Sequence, residues 1–174
     1  MLRLIRRCPE FLSGYKSYCQ ELYDSGVLYF QPMDPARVDF DWFYRTKPIY
    51  DRRETERVDG ASRSLHLWAV CENRFIGEFQ LRLDFTEAVL RDIGSVGYAV
   101  RPSEWGKGYG TQILRQGLAI AGEMGMHQVL FMVNSENSRS CHVIEKLGGK
   151  YEDTIEAYSE ALGNHFLRQY WIDL

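Results

Sequence analysis

The sequence predicts an α/β (α+β) domain, and three observations carry that reading. Val100–Thr111, reading VRPSEWGKGYGT, places three alternating glycines where an extended segment gives way to a helix. Ser64–Cys71 and Phe75–Phe85 are strand-like runs separated by the turn residues Glu72 and Asn73. With 174 residues, 45% apolar and 26% charged, the chain is long enough for one domain with a real core. That composition is that of a globular protein, not of a disordered or membrane-spanning one.

The elements follow in order. Met1–Arg7 alternates Leu2 and Leu4 with Arg3, as a first strand does. Pro9–Ser25 reads as a helix, because Phe11, Tyr15, Tyr18, Cys19 and Leu22 recur at helical spacing and Gly26 can stop it. Residues 27–62 carry the weakest pattern: Gln31–Ala36 is a Pro-rich loop, Asp39–Lys47 opens a helix that Pro48 is expected to interrupt, and Tyr50–Val58 is charged. In Phe75–Phe85, alternation puts Phe79, Leu81, Leu83 and Phe85 on one face and Glu78, Gln80, Arg82 and Asp84 on the other. Gly94–Val100 is a strand that ends at Arg101-Pro102, since the residue before proline stays extended. From near Tyr109 a helix runs with Ile113, Leu114, Gly117, Leu118 and Ala121 on its apolar face. Gln128–Asn134 is the next strand, and Lys150–Ala157 with His165–Ile172 form a closing pair. No repeat, low-complexity tract or linker divides the chain, so residues 1–174 are read as a single domain.

The glycine loop points to a phosphate. Gly106, Gly108 and Gly110 can bring backbone N–H groups close to an anion with no Cβ in the way, and the following helix adds its unpaired N–H groups and its dipole. Two other phosphate loops do not fit. A Walker A loop needs Ser or Thr after its lysine, whereas Lys107 is followed by Gly108. A dinucleotide fingerprint needs an acid about 20 residues on, at the end of the next strand, and that strand ends in Val133-Asn134.

Val100, the turn, GKGYGT and the helix after it resemble motif A of the GNAT superfamily of acyl-CoA-dependent N-acetyltransferases. Asn137–Gly149, NSRSCHVIEKLGG, resembles a second segment of that family, and it lies one helix and one strand downstream. The likeness is closest to a bacterial group carrying RPSE-x-GKGYGT with VIEKLGG; it covers Glu78 to Tyr151 closely and the rest by element order. It implies the GNAT-like acyl-CoA N-acyltransferase fold, a mixed, mostly antiparallel twisted sheet flanked by helices. It also implies acetyl-CoA as cosubstrate, held by Ala99, Val100, Trp105, Gly106, Lys107, Gly108, Tyr109, Gly110, Thr111, Asn137 and Ser140, and no metal. Two positions depart from the family pattern. Trp105 stands where a polar residue is usual, and Ile144 stands seven residues after Asn137, where many members carry a proton-donating Tyr. A thiol ionises near pKa ~8.5, so a thiolate leaves tolerably well without such an acid.

The implied reaction is attack by a neutral primary amine on the thioester. An amine near pKa ~10 must first lose a proton, and Glu78 on the polar face of its strand is the first candidate for the base, with Asp92 and the Tyr98 hydroxyl behind it. The oxyanion donor is expected among the backbone N–H groups of Tyr98–Val100. A non-catalytic acyl-CoA sensor or structural module is the alternative, favoured by Ile144, and a nucleotide-binding module ranks below both.

The acceptor is expected to be a small-molecule or peptide amine. Its pocket wall is expected in the aromatic stretch Tyr23–Tyr50, which includes Tyr29, Phe30, Trp42 and Tyr44, with Tyr158 and Ser159–Asn164 closing it from the other side. A net charge of −3 argues against nonspecific nucleic-acid binding. Cys8, Cys19, Cys71 and Cys141 show no metal spacing, MLRLIRRCPEF lacks a signal-type apolar run, and no apolar stretch approaches a membrane span. A cytoplasmic protein with reduced thiols and no membrane partner is therefore expected. The last strands offer an edge for pairing, so a homodimer is expected as well.

Overall fold

Strands β2 (Ser64–Cys71) and β3 (Arg74–Arg82) form a hairpin because Glu72 and Asn73 both take positive φ, 49° and 61°, which matches a two-residue turn to the twist of the strands. The structure, a computed structural model, describes residues 1–27 and 33–174. Strand β1 (Leu2–Arg6) adds to β2 and β4 (Val96–Val100) adds to β3, giving a four-stranded antiparallel sheet in the order β1-β2-β3-β4. A second antiparallel sheet contains β5 (Gln128–Asn134), β7 (Gly163–Asp173) and β6 (Lys150–Ser159), in the order β5-β7-β6.

Helices cover the first sheet on both faces. Helix α1 (Leu12–Asp24) buries Leu12, Tyr15, Tyr18, Cys19 and Leu22, the spacing read from the sequence. Tyr15 stacks between Trp42 and Trp68, with ring centroids 5.6 and 5.0 Å away. Trp42 comes from α2 (Phe40–Arg53), whose first turn is capped by Asp39 accepting from the Trp42 N–H at 2.7 Å. Pro48 does not interrupt α2, contrary to expectation. It removes one N–H on a side of the helix where Pro48 and Tyr44 are both exposed, so water can take the freed carbonyl. Helix α3 (Tyr109–Glu123) packs on the other face through Ile113, Leu114, Gly117 and Ala121. A methyl at Gly117 would lie 2.1 Å from Cε2 of Phe79, so the helix backbone sits directly on that ring.

Among the described residues, the two sheets are hydrogen-bonded to each other at one end. Ser95 N–H donates to Leu130 O at 2.7 Å, and Leu130 N–H donates to Ser95 Oγ at 2.7 Å. Past Ser95, β4 and β5 share no further backbone hydrogen bond among the described residues. Helix α4 (Ser138–Lys146) follows β5 after a short turn, and Asn137 caps it. The α/β, mostly antiparallel architecture with flanking helices is the one expected, divided here into two sheets that part beyond Ser95.

Candidate active site

The parting of β4 from β5 opens a cleft of about 1360 Å³ that runs from the starts of α3 and α4 to the polar face of β3 beneath α1. Arg101 N–H donates to Ile76 O at 2.9 Å, which fixes the alternation of β4 against β3. The N–H groups of Tyr98 and Val100 consequently point away from β3, onto the open edge. Ala99 and Val100 both line the cleft.

At one end lies the glycine loop. Gly106 and Gly108 hold φ of 78° and 81°, a region L side chains rarely adopt, and a Cβ on either would meet nothing within 4 Å. Gly108 caps α3, and the first bond of the helix here is Gln112 N–H to Gly108 O at 3.2 Å. The N–H groups of Tyr109, Gly110 and Thr111 thus start the helix without intrahelical partners, and all three residues line the cleft. A Cβ at Gly110 would lie 3.4 Å from the Tyr98 ring, an ordinary contact distance. Lys107 does not line the cleft. Its ammonium lies 3.1 Å from the buried carboxylate of Glu104, which Arg74 also holds at 2.9 Å, and the Lys107 hydrogen bond is the largest influence keeping that carboxyl below its usual range. Trp105 donates its indole N–H to Val100 O at 2.7 Å, and the Arg139 guanidinium lies 4.7 Å over its ring. The aromatic residue in place of a polar one therefore ties the loop to β4 and brings a cation from α4 beside it.

On α4, Asn137 Oδ1 accepts from the Ser140 N–H at 3.2 Å, and both residues line the cleft. Ile144 is fully buried and offers only carbon. Tyr98 projects from β4 toward this helix, beside Ser140. Its hydroxyl is buried with no well-aligned hydrogen-bond partner, and burial pushes its pKa up to about 12. That direction keeps the proton on the phenol, which suits a proton donor better than the base role considered from the sequence. Asp92 is corrected too: it is exposed, pairs with Arg91 and does not reach the cleft.

At the other end sits Glu78, only 7% exposed. Tyr18 donates to its Oε1 at 2.9 Å, and His66 Nε2 lies 3.0 Å from its Oε2. The histidine contact is in ion-pair range but misaligned for a hydrogen bond, so Oε2 keeps an unshared lone pair. Burial drives the Tyr18 phenol well above its ordinary pKa, and the adjacent Glu78 charge adds to the effect. Tyr15, Leu22 and Met33 complete this wall. Trp42 is buried in the Tyr15 stack and Tyr44 is exposed, and neither lines the cleft; nor do Tyr158 and Ser159–Asn164, at the exposed tip of the β6–β7 hairpin. Tyr29 and Phe30 lie outside the described residues.

Sequence reasoning missed His66 and Tyr18. The turn at Glu72-Asn73 and the β-bulge between Ala69 and Val70 set the register Trp68↔Glu78 and His66↔Gln80, which brings His66 diagonally against Glu78. The bulge is invisible in the sequence, and a plain hairpin register misplaces His66 by one residue.

A profile described as an acetyltransferase (GNAT) domain matches residues 23–150. The chain belongs to the GNAT acetyltransferase family. This makes it an acetyl-CoA-dependent acyltransferase. Solved GNAT structures share its fold. A GNAT-family acetyltransferase from Streptococcus pneumoniae superposes with a TM-score of 0.70 at 15% identity, covering 100% of both chains. RimJ of Mycobacterium smegmatis in complex with CoA-disulfide gives 0.75 at 20% identity over 99% of this chain and 81% of that one. The microcin C7 self-immunity acetyltransferase MccE, in complex with acetyl-CoA and AMP, gives 0.75 at 12% identity over 99% and 92%. No protein of curated function matches this sequence. Among the described residues, no helix is long and apolar enough to cross a membrane, and no group of three or more His, Cys, Asp or Glu converges as metal ligands would.

Proposed function

We propose that residues 1–174 act as one domain that moves an acetyl group from acetyl-CoA to a primary amine of a small molecule or peptide by direct attack, without a metal. The observation that carries this reading is the continuity of the cleft: it joins an anion-binding helix start to a buried carboxylate along the open edge of β4. The residues fit the donor. The backbone of Gly106, Gly108 and Gly110, with the N–H groups of Tyr109 and Thr111, forms a cradle for a pyrophosphate. Trp105 and Lys107 support that loop, and Ala99, Val100, Asn137 and Ser140 flank the path of the pantetheine arm. Bound there, acetyl-CoA supplies an activated thioester. The complexes of MccE with acetyl-CoA and of RimJ with CoA-disulfide support a donor in this family's cleft.

Glu78 is the base in this reading. Its Oε2 takes the ammonium proton, while Tyr18 on Oε1 and His66 alongside fix the carboxylate. The outward N–H groups of Tyr98 and Val100 receive the developing oxyanion. Tyr98, neutral at working pH, is the donor to the departing sulfur, standing in for the acid that Ile144 cannot be. Alignment of the two reactants along one edge supplies much of the acceleration.

Calorimetric titration with acetyl-CoA, followed by thiol release against a panel of amines, tests the proposal. Micromolar binding with amine-dependent release is expected. Binding without release from any amine supports a sensor instead, and no binding refutes the assignment of the glycine loop.

A further inference from the structure

Acetyl transfer uses Glu78 and leaves Arg82 unexplained. Glu78, Gln80 and Arg82 alternate along β3, and all three line the cleft. Arg82 donates from Nη1 to Gly94 O at 3.2 Å and from Nη2 to Gln80 Oε1 at 3.0 Å. Both partners are neutral, and they engage only part of a guanidinium that has five N–H donors. Of the other arginines with buried or partly buried side chains, Arg7 lies over the Trp42 and Tyr50 rings, whereas Arg63 meets Asp84 and Arg101 meets Glu21, each a carboxylate. Arg82 meets none among the described residues, and burial alone lowers its pKa. A buried cation without a counter-charge costs folding free energy unless a ligand supplies the charge.

The strand opposite provides room for one. Gly97 stands across from Gln80 and also lines the cleft. A methyl built on it would meet nothing nearer than Arg82 Nη1 at 3.9 Å and Gln80 Cβ at 4.0 Å. The absent side chain leaves a hollow beside the guanidinium, at a strand position where glycine otherwise weakens pairing.

We infer that Arg82, Gln80 and the hollow over Gly97 bind an anionic oxygen group, a carboxylate or a phosphate, carried by the same acceptor whose amine reaches Glu78. This rests on the acetyl-transfer reading, in which the donor's phosphates belong to the glycine loop and its pantetheine arm carries no charge. Gln80 lies two residues along the strand from Glu78, about 7 Å. An ω-amino acid or aminoalkyl phosphate of that span matches the pair, with its ammonium losing a proton to Glu78 and its anion held by Arg82.

Three amines test the inference: 5-aminopentanoate, 3-aminopropyl phosphate and the neutral pentylamine. Their kcat/KM values are compared in the wild type and in Arg82→Met, Arg82→Lys and Gly97→Val. In parallel, the two anionic amines are titrated calorimetrically into protein saturated with coenzyme A. At least one anionic amine is expected to exceed pentylamine about tenfold or more in kcat/KM, and the better one identifies the anion. Arg82→Met abolishes the preference and the calorimetric signal, and Arg82→Lys retains part of both. Because Arg82 also holds Gly94 O, Gly97→Val provides a second route: it fills the hollow without removing any hydrogen-bonding group of Arg82 or of its partners, and excludes the anionic amines. Turnover that favours pentylamine, absence of binding by either anion, or binding unchanged in both Arg82→Met and Gly97→Val overturns the inference. Arg82-dependent binding with no acetylation of any amine upholds the anion site and refutes the transfer reading.

Discussion

Replacing Glu78 by Gln removes one charge and keeps nearly the same volume. The side-chain carbonyl can still accept from Tyr18, as Oε1 does at 2.9 Å, so the fold should survive. A hydrogen bond to a charged acceptor contributes roughly 1.5–3 kcal/mol, against roughly 0.5–1.5 for a neutral one, so the loss in stability is about 1 kcal/mol. In a chain of this length that lowers Tm by roughly 2–4 °C. The chemical cost is larger. With its charge gone, the group can no longer take the amine proton, and general-base help amounts to about 10²–10⁴ in rate, or roughly 3–5 kcal/mol of barrier. The affinity for acetyl-CoA should stay unchanged, because the glycine loop lies at the opposite end of the cleft. Thiol release at saturating amine gives kcat, and calorimetry gives the donor Kd. A kcat within about twofold of wild type would remove Glu78 from the chemistry, and a weakened donor Kd would mean that it supports the cleft as a whole.

Three other substitutions probe the remaining parts. Gly108→Val forces a β-branched residue into φ of 81°, at a cost of roughly 1–2 kcal/mol in folding; acetyl-CoA binding measured by calorimetry should weaken at least tenfold, and an unchanged Kd refutes the pyrophosphate cradle. Tyr98→Phe should lower kcat about tenfold or more with donor affinity kept, measured by the same thiol assay; full activity excludes the hydroxyl as acid. Asp84 is held down to about 2, chiefly by its hydrogen bonds from Arg63, well under the ordinary carboxylate value of about 3.9. A folded pKa below the unfolded one stabilises above the unfolded value and is lost as pH falls through the folded one. Asp84→Asn should therefore lower Tm at neutral pH, and the gap from wild type should shrink as pH drops from about 4 to about 2 in thermal scans; a gap independent of pH refutes this account.

Most of the framework was legible because periodicity encodes it. The α1 face, the β2–β3 turn, the Ser64–Cys71 strand and the start of α3 at Tyr109 follow from alternation, helical spacing and glycine placement, and the structure has them at or near those residues. Pro48 misled, because the cost of a proline inside a helix depends on whether its lost partner faces water, which is a tertiary fact. Within the candidate site, local pattern gave the glycine loop and the polar face of β3. It could not give Tyr18 or His66, which reach Glu78 from 60 residues away along the chain and across a bulged ladder, respectively. Trp105 was legible as a departure only; its hydrogen bond to Val100 O had no signal in the sequence.

The separation of β4 from β5 beyond Ser95 leaves a row of backbone groups facing the cleft inside the protein, among them the N–H groups of Tyr98 and Val100, while Trp105 takes the Val100 carbonyl. Exposed at the rim of a sheet, such a row would recruit any passing extended chain. Here Ser95 and Leu130 lock one end, and Trp105 holds the other at Val100 O. An occupant with amide groups along its length would complete the ladder as a temporary strand, so the sheet would gain continuity and rigidity each time the cleft fills and lose it on release.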